Sequence, residues 1–286
     1  MISDRIAFIG GGNMGRALLA ALRQHGQPAE TLRVADAHAP TRETLARDLG
    51  VAACADNLGA VEGAGIVVLA VKPQDMAGVV TALRPALQRD RPILISIAAG
   101  LRCADIDGWS GGGLPLIRAM PNRPALVGGG ATALFAAATT PAAARRAATA
   151  VFAPSGLCVW IDDEAQMDAV TALSGSGPAY FFLLAETMAD AGVALGLPRE
   201  TARELAMATL HGAGLMAGGA LASGAAGGDG NWAIPRLRAE VTSRGGTTEA
   251  AVRQLETGDL RGLMLAAMRA AAERGRELAA QAAAPR

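Results

Sequence analysis

Hydroxyl side chains and two adjacent glycines lie together at residues 243–248, which read Ser-Arg-Gly-Gly-Thr-Thr and lead into a helical pattern at 249–255. Glycines allow the backbone to turn sharply, and threonine is a common cap at the start of a helix. The N–H groups that open a helix, together with the positive end of its dipole, bind anions. Two hypotheses follow: residues 243–248 form an ordinary capped helix start, or they bind a small acidic ligand.

A second glycine-rich turn, at residues 10–15, has the pattern G-x-G-x-x-G between a strand-like segment at 5–9 and a helix-prone segment at 16–24. In this context the pattern predicts a dinucleotide-binding turn rather than a glycine turn without a ligand. Gly10 permits the tight turn, Gly12 lets a pyrophosphate approach the backbone, and Gly15 allows the helix to pack closely on the strand.

Asp36 follows a second strand-like segment at 32–35, at the distance from the glycine turn that is typical of a ribose-binding acid. A carboxylate there accepts a hydrogen bond from the ribose 2′-OH of NAD and repels the 2′-phosphate of NADP. His38 and Arg42 lie nearby in the sequence and could neutralise a phosphate. The choice between NAD and NADP therefore stays open.

Two further strand-like segments end in small residues, at the edge where ligands bind in open α/β sheets. These residues leave room for a nicotinamide ribose, or they merely allow close helix packing. They are Ala70, Val71, Lys72 and Pro73 at the end of a strand predicted from the apolar run 66–71, and Ile97, Ala98 and Ala99 at the end of the run that starts at residue 93. Lys72 is the only lysine of the chain, which indicates either a compositional bias towards arginine or a position that requires an ammonium group.

Strands and helices alternate in the first part of the chain, whereas the second part shows helical patterns alone. We expect a Rossmann-type doubly wound sheet at residues 1–162 and an all-helical domain at residues 163–286. Further strands are predicted at 93–97, 116–119, 131–135 and 158–161, and helices at 41–49, 178–195, 199–216, 248–256 and 260–280. A Gly/Ala/Ser-rich stretch at 218–230 predicts a mobile loop.

The segment 180–184 is apolar around the whole helix, and a helical domain of this size has little core in which to bury it. We therefore expect the chain to form a homodimer through its helical domain.

The net charge, the cysteine pattern and the lengths of the apolar stretches argue against several classes of protein. The formal net charge of the 286 residues is zero, which argues against a nucleic-acid partner. The three cysteines are scattered without a CxxC spacing and without a histidine close in sequence, so we expect reduced thiols and no metal site. No signal-peptide pattern opens the chain, and no uninterrupted apolar stretch reaches the roughly 20 residues of a membrane span, so we expect a cytoplasmic protein without a membrane partner.

Three motifs resemble those of pyrroline-5-carboxylate reductases: residues 118–127, residues 173–180 and the segment 243–248, in the order that the family shows. The glycine turn and the small residues after the two strands fit the same pattern, so the resemblance runs from about residue 5 to residue 278. It implies reduction of 1-pyrroline-5-carboxylate to L-proline with NAD(P)H. It also implies a Rossmann domain joined to an all-helical dimerisation domain, and dimers that assemble further into rings.

The resemblance also implies roles for individual residues. The cofactor would be lined by Ile9, Gly10, Gly11, Gly12, Asn13, Met14, Asp36, Asn57, Ala70, Val71, Lys72, Pro73, Ile97, Ala98 and Ala99, with Asn57 near the adenosine. The substrate would be held, across the dimer from the nicotinamide, by Ser243, Gly245, Gly246, Thr247 and Thr248. We expect the Gly246 and Thr247 N–H groups and the Ser243 hydroxyl to bind the substrate carboxylate. Thr248, the expected catalytic residue, would bind the ring nitrogen through its hydroxyl.

The sequence departs from the family pattern at three places. Arg244 stands where the family usually has proline, Asp36 leaves the preference for NADPH open, and the stretch 218–234 is longer than usual.

Two other functions fit the sequence less well than the reductase does. A β-hydroxyacid-type dehydrogenase requires a lysine acid/base in the second domain, and no lysine follows Lys72. A non-catalytic NAD(P)-binding sensor does not require a site such as 243–248. Glu186 and Asp190, spaced one helical turn apart, are expected to pair with an arginine across an interface rather than to act as an acid pair.

Overall fold

The protein is described here by a computed structural model, which covers residue 2 and residues 4–223 and 232–283. The described residues divide into two compact units. The first contains the residues up to Ser176 together with those from Met268 onward, and the second is Gly177–Ala267. The domain boundary expected between residues 162 and 163 stays a prediction.

The first unit contains a sheet of eight strands within the described residues. The strands are β1 (Ile6–Ile9), β2 (Leu32–Ala35), β3 (Ala52–Cys54), β4 (Ile66–Leu69), β5 (Ile93–Ser96), β6 (Leu116–Met120), β7 (Gly130–Phe135) and β8 (Gly156–Trp160). Their order is β3-β2-β1-β4-β5-β6-β7-β8, and the β6–β7 pair is antiparallel whereas the other neighbours run parallel. The chain first adds β2 and β3 on one side of β1 and then adds β4, β5 and β6 on its other side. This arrangement confirms the expected doubly wound sheet.

Helices cover both faces of this sheet. They are α1 (Asn13–Gln24), α2 (Ala39–Leu49), α3 (Asn57–Val61), α4 (Pro73–Asp90), α5 (Cys103–Ser110), α6 (Ala142–Phe152) and α7 (Met167–Val170), which a π-helical turn, Thr171–Gly175, follows. The central strand β1 shows why both faces are covered. Ile6 and Phe8 belong to one buried apolar cluster, and Ala7 and Ile9 belong to the other. Alternate side chains of a strand point to opposite faces, so an uninterrupted apolar strand requires two apolar layers.

Helices are the regular elements of the second unit within its described residues. It contains α8 (Gly177–Ala194), α9 (Arg199–Ala222), α10 (Ala233–Glu240), α11 (Thr247–Thr257) and the first residues of α12 (Leu260–Ala283). The loop expected at 218–230 is wrong for residues 218–222, which continue α9. The remainder of that stretch, 224–230, lies outside the described residues. The apolar run expected to form a strand to residue 71 is also shorter, because β4 ends at Leu69.

Large apolar side chains of the second unit lie at the surface of the single chain. Phe181, Phe182 and Leu183 on α8 are 61%, 64% and 62% exposed. These residues belong to the segment that is apolar around the whole helix. Their exposure leaves an apolar surface that water does not stabilise, and surfaces of this kind are typical of protein–protein contacts.

Among the described residues, α9 is one helix long and apolar enough, by length and composition alone, to cross a membrane. One such helix is weak evidence, because helices of soluble proteins pass the same test. The expected absence of a membrane partner therefore stays a prediction.

Candidate functional site

The glycine turn after β1 lies where three strand ends meet. The Gly10 N–H donates to the Ala35 carbonyl at 2.8 Å, and the Ala70 N–H donates to the Ile9 carbonyl at 2.7 Å. Gly10 has φ +105°, which L side chains rarely adopt, and a Cβ at this position would lie 2.6 Å from the Ala70 oxygen. Only glycine therefore fits at the point where the backbone turns against the end of β4.

The start of α1 offers free backbone donors to open space. The helix begins at Asn13 after Gly12, and no side chain caps it. A Cβ added to Gly12 would have no heavy atom within 4 Å, whereas a Cβ on Gly15 would overlap the Gly10 carbonyl oxygen. The turn thus packs tightly on its inner side and is open on its outer side. This geometry fits the pyrophosphate of a dinucleotide, whose oxygens accept hydrogen bonds from helix N–H groups.

The Asp36 carboxylate is tied to this turn. Its Oδ2 accepts a hydrogen bond from the Gly11 N–H at 2.7 Å, and its Oδ1 accepts one from the His38 N–H at 2.8 Å. The Arg42 guanidinium donates to the Asp36 backbone carbonyl at 2.8 Å, not to the carboxylate. Asp36 thus occupies a fixed position beside the place where a dinucleotide ribose would lie.

The small residues after β4 and β5 come together at the same edge of the sheet. The Ile97 N–H donates to the Leu69 carbonyl at 3.1 Å, which joins the ends of the two strands. Ala70 and Ile97 are half-buried, Ala98 is buried and Ala99 is exposed. Lys72 is an exposed residue directly before α4, which begins at Pro73. Val71 and Asn57, the latter at the start of α3, are half-buried.

The segment 243–248 forms a turn that leads into α11. The Gly246 N–H donates to the Ser243 carbonyl at 3.0 Å, Gly245 has φ +72°, and the Gly245 N–H donates to Glu249 Oε2 at 2.7 Å. No side chain caps the helix at Gly246. The expected threonine cap is therefore wrong: Thr247 is the first residue of α11, and the Glu249 carboxylate satisfies the turn instead.

The free donors at this helix start differ from the expected ones. The Gly246 N–H is already bound by Ser243, and the first intrahelical bond runs from the Ala250 N–H to the Gly246 carbonyl at 3.3 Å. The N–H groups of Thr247 and Thr248 precede that bond, so they have no partner within the helix. Both threonines are exposed. The segment therefore presents two backbone donors and two hydroxyls, which suits an anion that also carries a polar ring atom.

A charged cavity in the first unit was not predicted from the sequence. It has a volume of about 550 Å³, and its lining includes Arg102, Arg118, Glu164, Asp168 and Arg276. Arg118 is 5% exposed, and its Nη1 lies 3.1 Å from Glu164 Oε1. An arginine inside the apolar strand β6 was the signal that a buried partner exists.

Glu164 also holds the start of α5. Its Oε1 accepts the Cys103 N–H at 2.7 Å. The pKa of the Cys103 thiol is raised to about 12, first by burial and then by the nearby Glu164 carboxylate. A thiol with so high a pKa is a poor nucleophile at neutral pH.

Asp190, His25 and His38 make contacts within the chain. Asp190 lies 3.9 Å from Arg199 of the same chain, so the expected pairing across an interface is not needed to explain it. His25 Nδ1 lies 2.9 Å from the Ala21 carbonyl, and His38 Nδ1 lies 3.0 Å from Thr41 Oγ1. Within the described ranges, no group of three or more His, Cys, Asp or Glu side chains is placed to hold a metal ion.

Two family models match the chain. The one described as pyrroline-5-carboxylate reductase dimerisation matches residues 164–278. The one described as NADP oxidoreductase, coenzyme F420-dependent, matches residues 5–100. The first range contains the turn at 243–248, and the second contains the glycine turn and Asp36.

Named relatives are similar to the chain over nearly its whole length. The pyrroline-5-carboxylate reductase of Pseudomonas aeruginosa is 44% identical over 281 residues, which cover 98% of this chain and 99% of the relative. That of Pisum sativum is 38% identical and is covered, like this chain, over 96% of its length.

Solved structures show the same similarity. A pyrroline-5-carboxylate reductase from Coxiella burnetii has a TM-score of 0.88 and 37% identity, over 97% of this chain and 99% of that one. The Plasmodium falciparum pyrroline carboxylate reductase, crystallised with NADP bound, has a TM-score of 0.79 and 26% identity, over 98% and 99% of the two chains.

Proposed function

The chain belongs to the pyrroline-5-carboxylate reductase family, and from this premise we propose how its residues serve the reduction of 1-pyrroline-5-carboxylate to L-proline. The reaction is the last step of proline biosynthesis and reduces the C=N bond of a five-membered cyclic imine with NAD(P)H. The substrate carries a carboxylate, so the enzyme must bind two different anions: the cofactor pyrophosphate and the substrate carboxylate.

The glycine turn binds the cofactor in this proposal. The N–H groups of Asn13 and Met14 at the start of α1 receive the pyrophosphate over Gly12, where the backbone faces open space. The remaining contacts come from the loops at the ends of the strands, namely Ile9, Gly10, Gly11, Asp36, Asn57, Ala70, Val71, Lys72, Pro73, Ile97, Ala98 and Ala99. When bound, NAD(P)H supplies the hydride that reduces the imine carbon.

The start of α11 binds the substrate carboxylate. The N–H groups of Thr247 and Thr248 donate to it, and the Ser243 hydroxyl adds a third donor. Gly245 and Gly246 shape the turn, and their own N–H groups are bound within the segment. The single observation that carries the assignment is the uncapped start of α11, where the N–H groups of Thr247 and Thr248 stay free beside the hydroxyls of the same two residues.

Thr248 positions the ring nitrogen. A hydroxyl is too weak an acid to protonate an imine at neutral pH, so the Thr248 Oγ accepts a hydrogen bond from the N–H of the protonated iminium. The iminium already carries the proton that remains on the nitrogen of proline. The chain therefore needs to place and enclose the substrate rather than to perform general acid catalysis.

Self-association covers the apolar surface of α8. The matched dimerisation family includes this helix, and its large exposed side chains lie on a segment without a polar face. We propose a homodimer in the cytoplasm, with dimers that assemble further into a ring.

The test is an activity assay on paired variants. Purified protein is mixed with 1-pyrroline-5-carboxylate and either NADH or NADPH, and the absorbance of the reduced nicotinamide is followed. Thr248→Ala should lower kcat by about tenfold or more, because a charge-assisted hydrogen bond contributes roughly 1.5–3 kcal/mol. Thr248→Ser, which keeps the hydroxyl, should retain most of the activity. Wild-type kinetics in Thr248→Ala would refute the role of this residue, and no turnover with either cofactor would refute the proposed function.

A further inference from the structure

The Asp36 carboxylate is held more firmly than an ordinary surface acid. Each of its oxygens accepts a backbone N–H, Oδ2 from Gly11 at 2.7 Å and Oδ1 from His38 at 2.8 Å. The Asp36 N–H donates to the Cys54 carbonyl at 3.0 Å, so the end of β3 fixes the main chain as well. The carboxylate cannot swing away without releasing two backbone donors.

The nearby basic side chains, Arg42 and His38, bind other groups. Arg42 Nη1 donates to the backbone carbonyls of Asp36 and Ala37 at 2.8 and 2.9 Å. The His38 ring is bound to Thr41 Oγ1 at 3.0 Å. Among the described residues, no salt bridge reaches the Asp36 carboxylate, so its charge is not neutralised by a side chain.

We propose that Asp36 makes this enzyme select NADH over NADPH; the inference rests on the proposed function, in which the glycine turn binds the cofactor. Each carboxylate oxygen has a lone pair beyond the one used by its backbone donor, so it can accept a ribose hydroxyl. A 2′-phosphate would bring about two negative charges against a carboxylate that is fixed in place. The ribose of NADH satisfies the site, and that of NADPH is repelled.

One similar protein is known with the other cofactor in its site. The Plasmodium falciparum enzyme was crystallised with NADP bound, whereas the fixed carboxylate of this chain favours the cofactor without the 2′-phosphate.

The experiment measures binding, so that it does not depend on turnover. Isothermal titration calorimetry gives the dissociation constants of NADH and NADPH for the full-length protein and its variants. The wild type should bind NADH about tenfold or more tightly than NADPH, since like charges a few ångströms apart repel at this scale near a protein surface. Asp36→Ser should reduce that ratio by about tenfold or more. The ratio of the two dissociation constants is the quantity to compare. Loss of the carboxylate that accepts the Gly11 N–H weakens the binding of both cofactors together, so it does not change this ratio.

Two further variants keep the inference falsifiable. Asp36→Asn preserves the shape and removes the charge, so it should shift the ratio in the same direction if Asp36→Ser does not fold. Arg42→Ala should change the ratio by less than about threefold, because its guanidinium holds backbone carbonyls.

Three results would overturn the selectivity while leaving the proposed function intact. They are a wild type that binds NADPH as tightly as NADH, a ratio unchanged in both Asp36 variants, and a loss of NADPH binding alone in Arg42→Ala. Failure of the wild type to bind either cofactor would overturn the proposed function itself, and the selectivity with it.

Discussion

Gly12 and Gly15 lie three residues apart in the same turn, yet an added methyl group should affect them in opposite ways. Gly12 has φ −62° and ψ −173°, a conformation that alanine adopts without strain, and its Cβ would meet no heavy atom within 4 Å. At this helix start, alanine loses a little as an N-terminal cap and gains a little by restricting the unfolded chain. We expect Gly12→Ala to change the free energy of unfolding by less than about 1 kcal/mol.

The same methyl group should abolish most cofactor binding. It would occupy the open space over the start of α1, where the pyrophosphate is proposed to lie. Loss of one or two charge-assisted hydrogen bonds costs about 3 kcal/mol, which corresponds to about a hundredfold rise in the dissociation constant of NADH. Gly15→Ala should weaken binding as well but for another reason. Its Cβ overlaps the Gly10 carbonyl oxygen, so the turn must shift at a cost of about 1–3 kcal/mol in the free energy of unfolding.

Calorimetry with NADH and urea denaturation followed by circular dichroism separate the two effects. Gly78→Ala is the matched control, because Gly78 lies within α4 and its Cβ would also meet nothing within 4 Å. It should leave binding unchanged and raise the free energy of unfolding by roughly 0.5–1 kcal/mol. Wild-type affinity in a folded Gly12→Ala protein would refute the placement of the pyrophosphate.

Three other predictions address the rest of the chain. Glu164→Ala should lower the free energy of unfolding in urea by about 3 kcal/mol, because it leaves the buried Arg118 without its carboxylate. Glu273→Ala removes the partner of the exposed Arg276 and should leave the free energy of unfolding nearly unchanged. Cys103 should react with iodoacetamide at pH 8 about a thousandfold more slowly in the folded protein than in the urea-unfolded chain. The rate in the folded protein should rise as the pH approaches the thiol pKa of about 12. Peptide mass spectrometry measures both rates, and equal rates would contradict the prediction. Phe182→Glu should convert the dimer to a monomer in light scattering, since Phe182 is 64% exposed on the single chain.

The cofactor turn could be predicted because its cause is local. A positive φ at Gly10 and the close approach at Gly15 both require glycine. The spacing of the glycines in the sequence is therefore enough to predict the turn. The end of α9 could not be predicted in this way. Its glycines indicate a loop, because each costs a helix about 1 kcal/mol. The structure nevertheless continues the helix to Ala222.

The contacts of Glu164 and Glu249 show a second limit of prediction from the sequence. Glu164 binds Arg118 and Cys103, which are far from it in sequence, so no local pattern identifies Glu164 as the partner of the buried arginine. Glu249 is different, because it stands at the third position of α11, where a capping acid is common. Threonine and glutamate both favour helix starts, so the sequence did not show which of them caps α11, and the threonines were expected. Only the structure shows that Glu249 takes the Gly245 N–H and leaves the threonine hydroxyls for other partners.

The two proposed anion sites share one hydrogen-bonding arrangement, but its electrostatic consequences differ between them. In each, a carboxylate binds a glycine N–H of the turn, Asp36 at Gly11 and Glu249 at Gly245, and the N–H groups of the following helix stay free. An acid beside an anion site opposes binding unless its charge is balanced. Arg253 lies 3.8 Å from Glu249 and partly balances it, whereas no described salt bridge reaches the Asp36 carboxylate. A substrate carboxylate is therefore tolerated beside Glu249, and beside Asp36 a ribose hydroxyl is favoured over a phosphate.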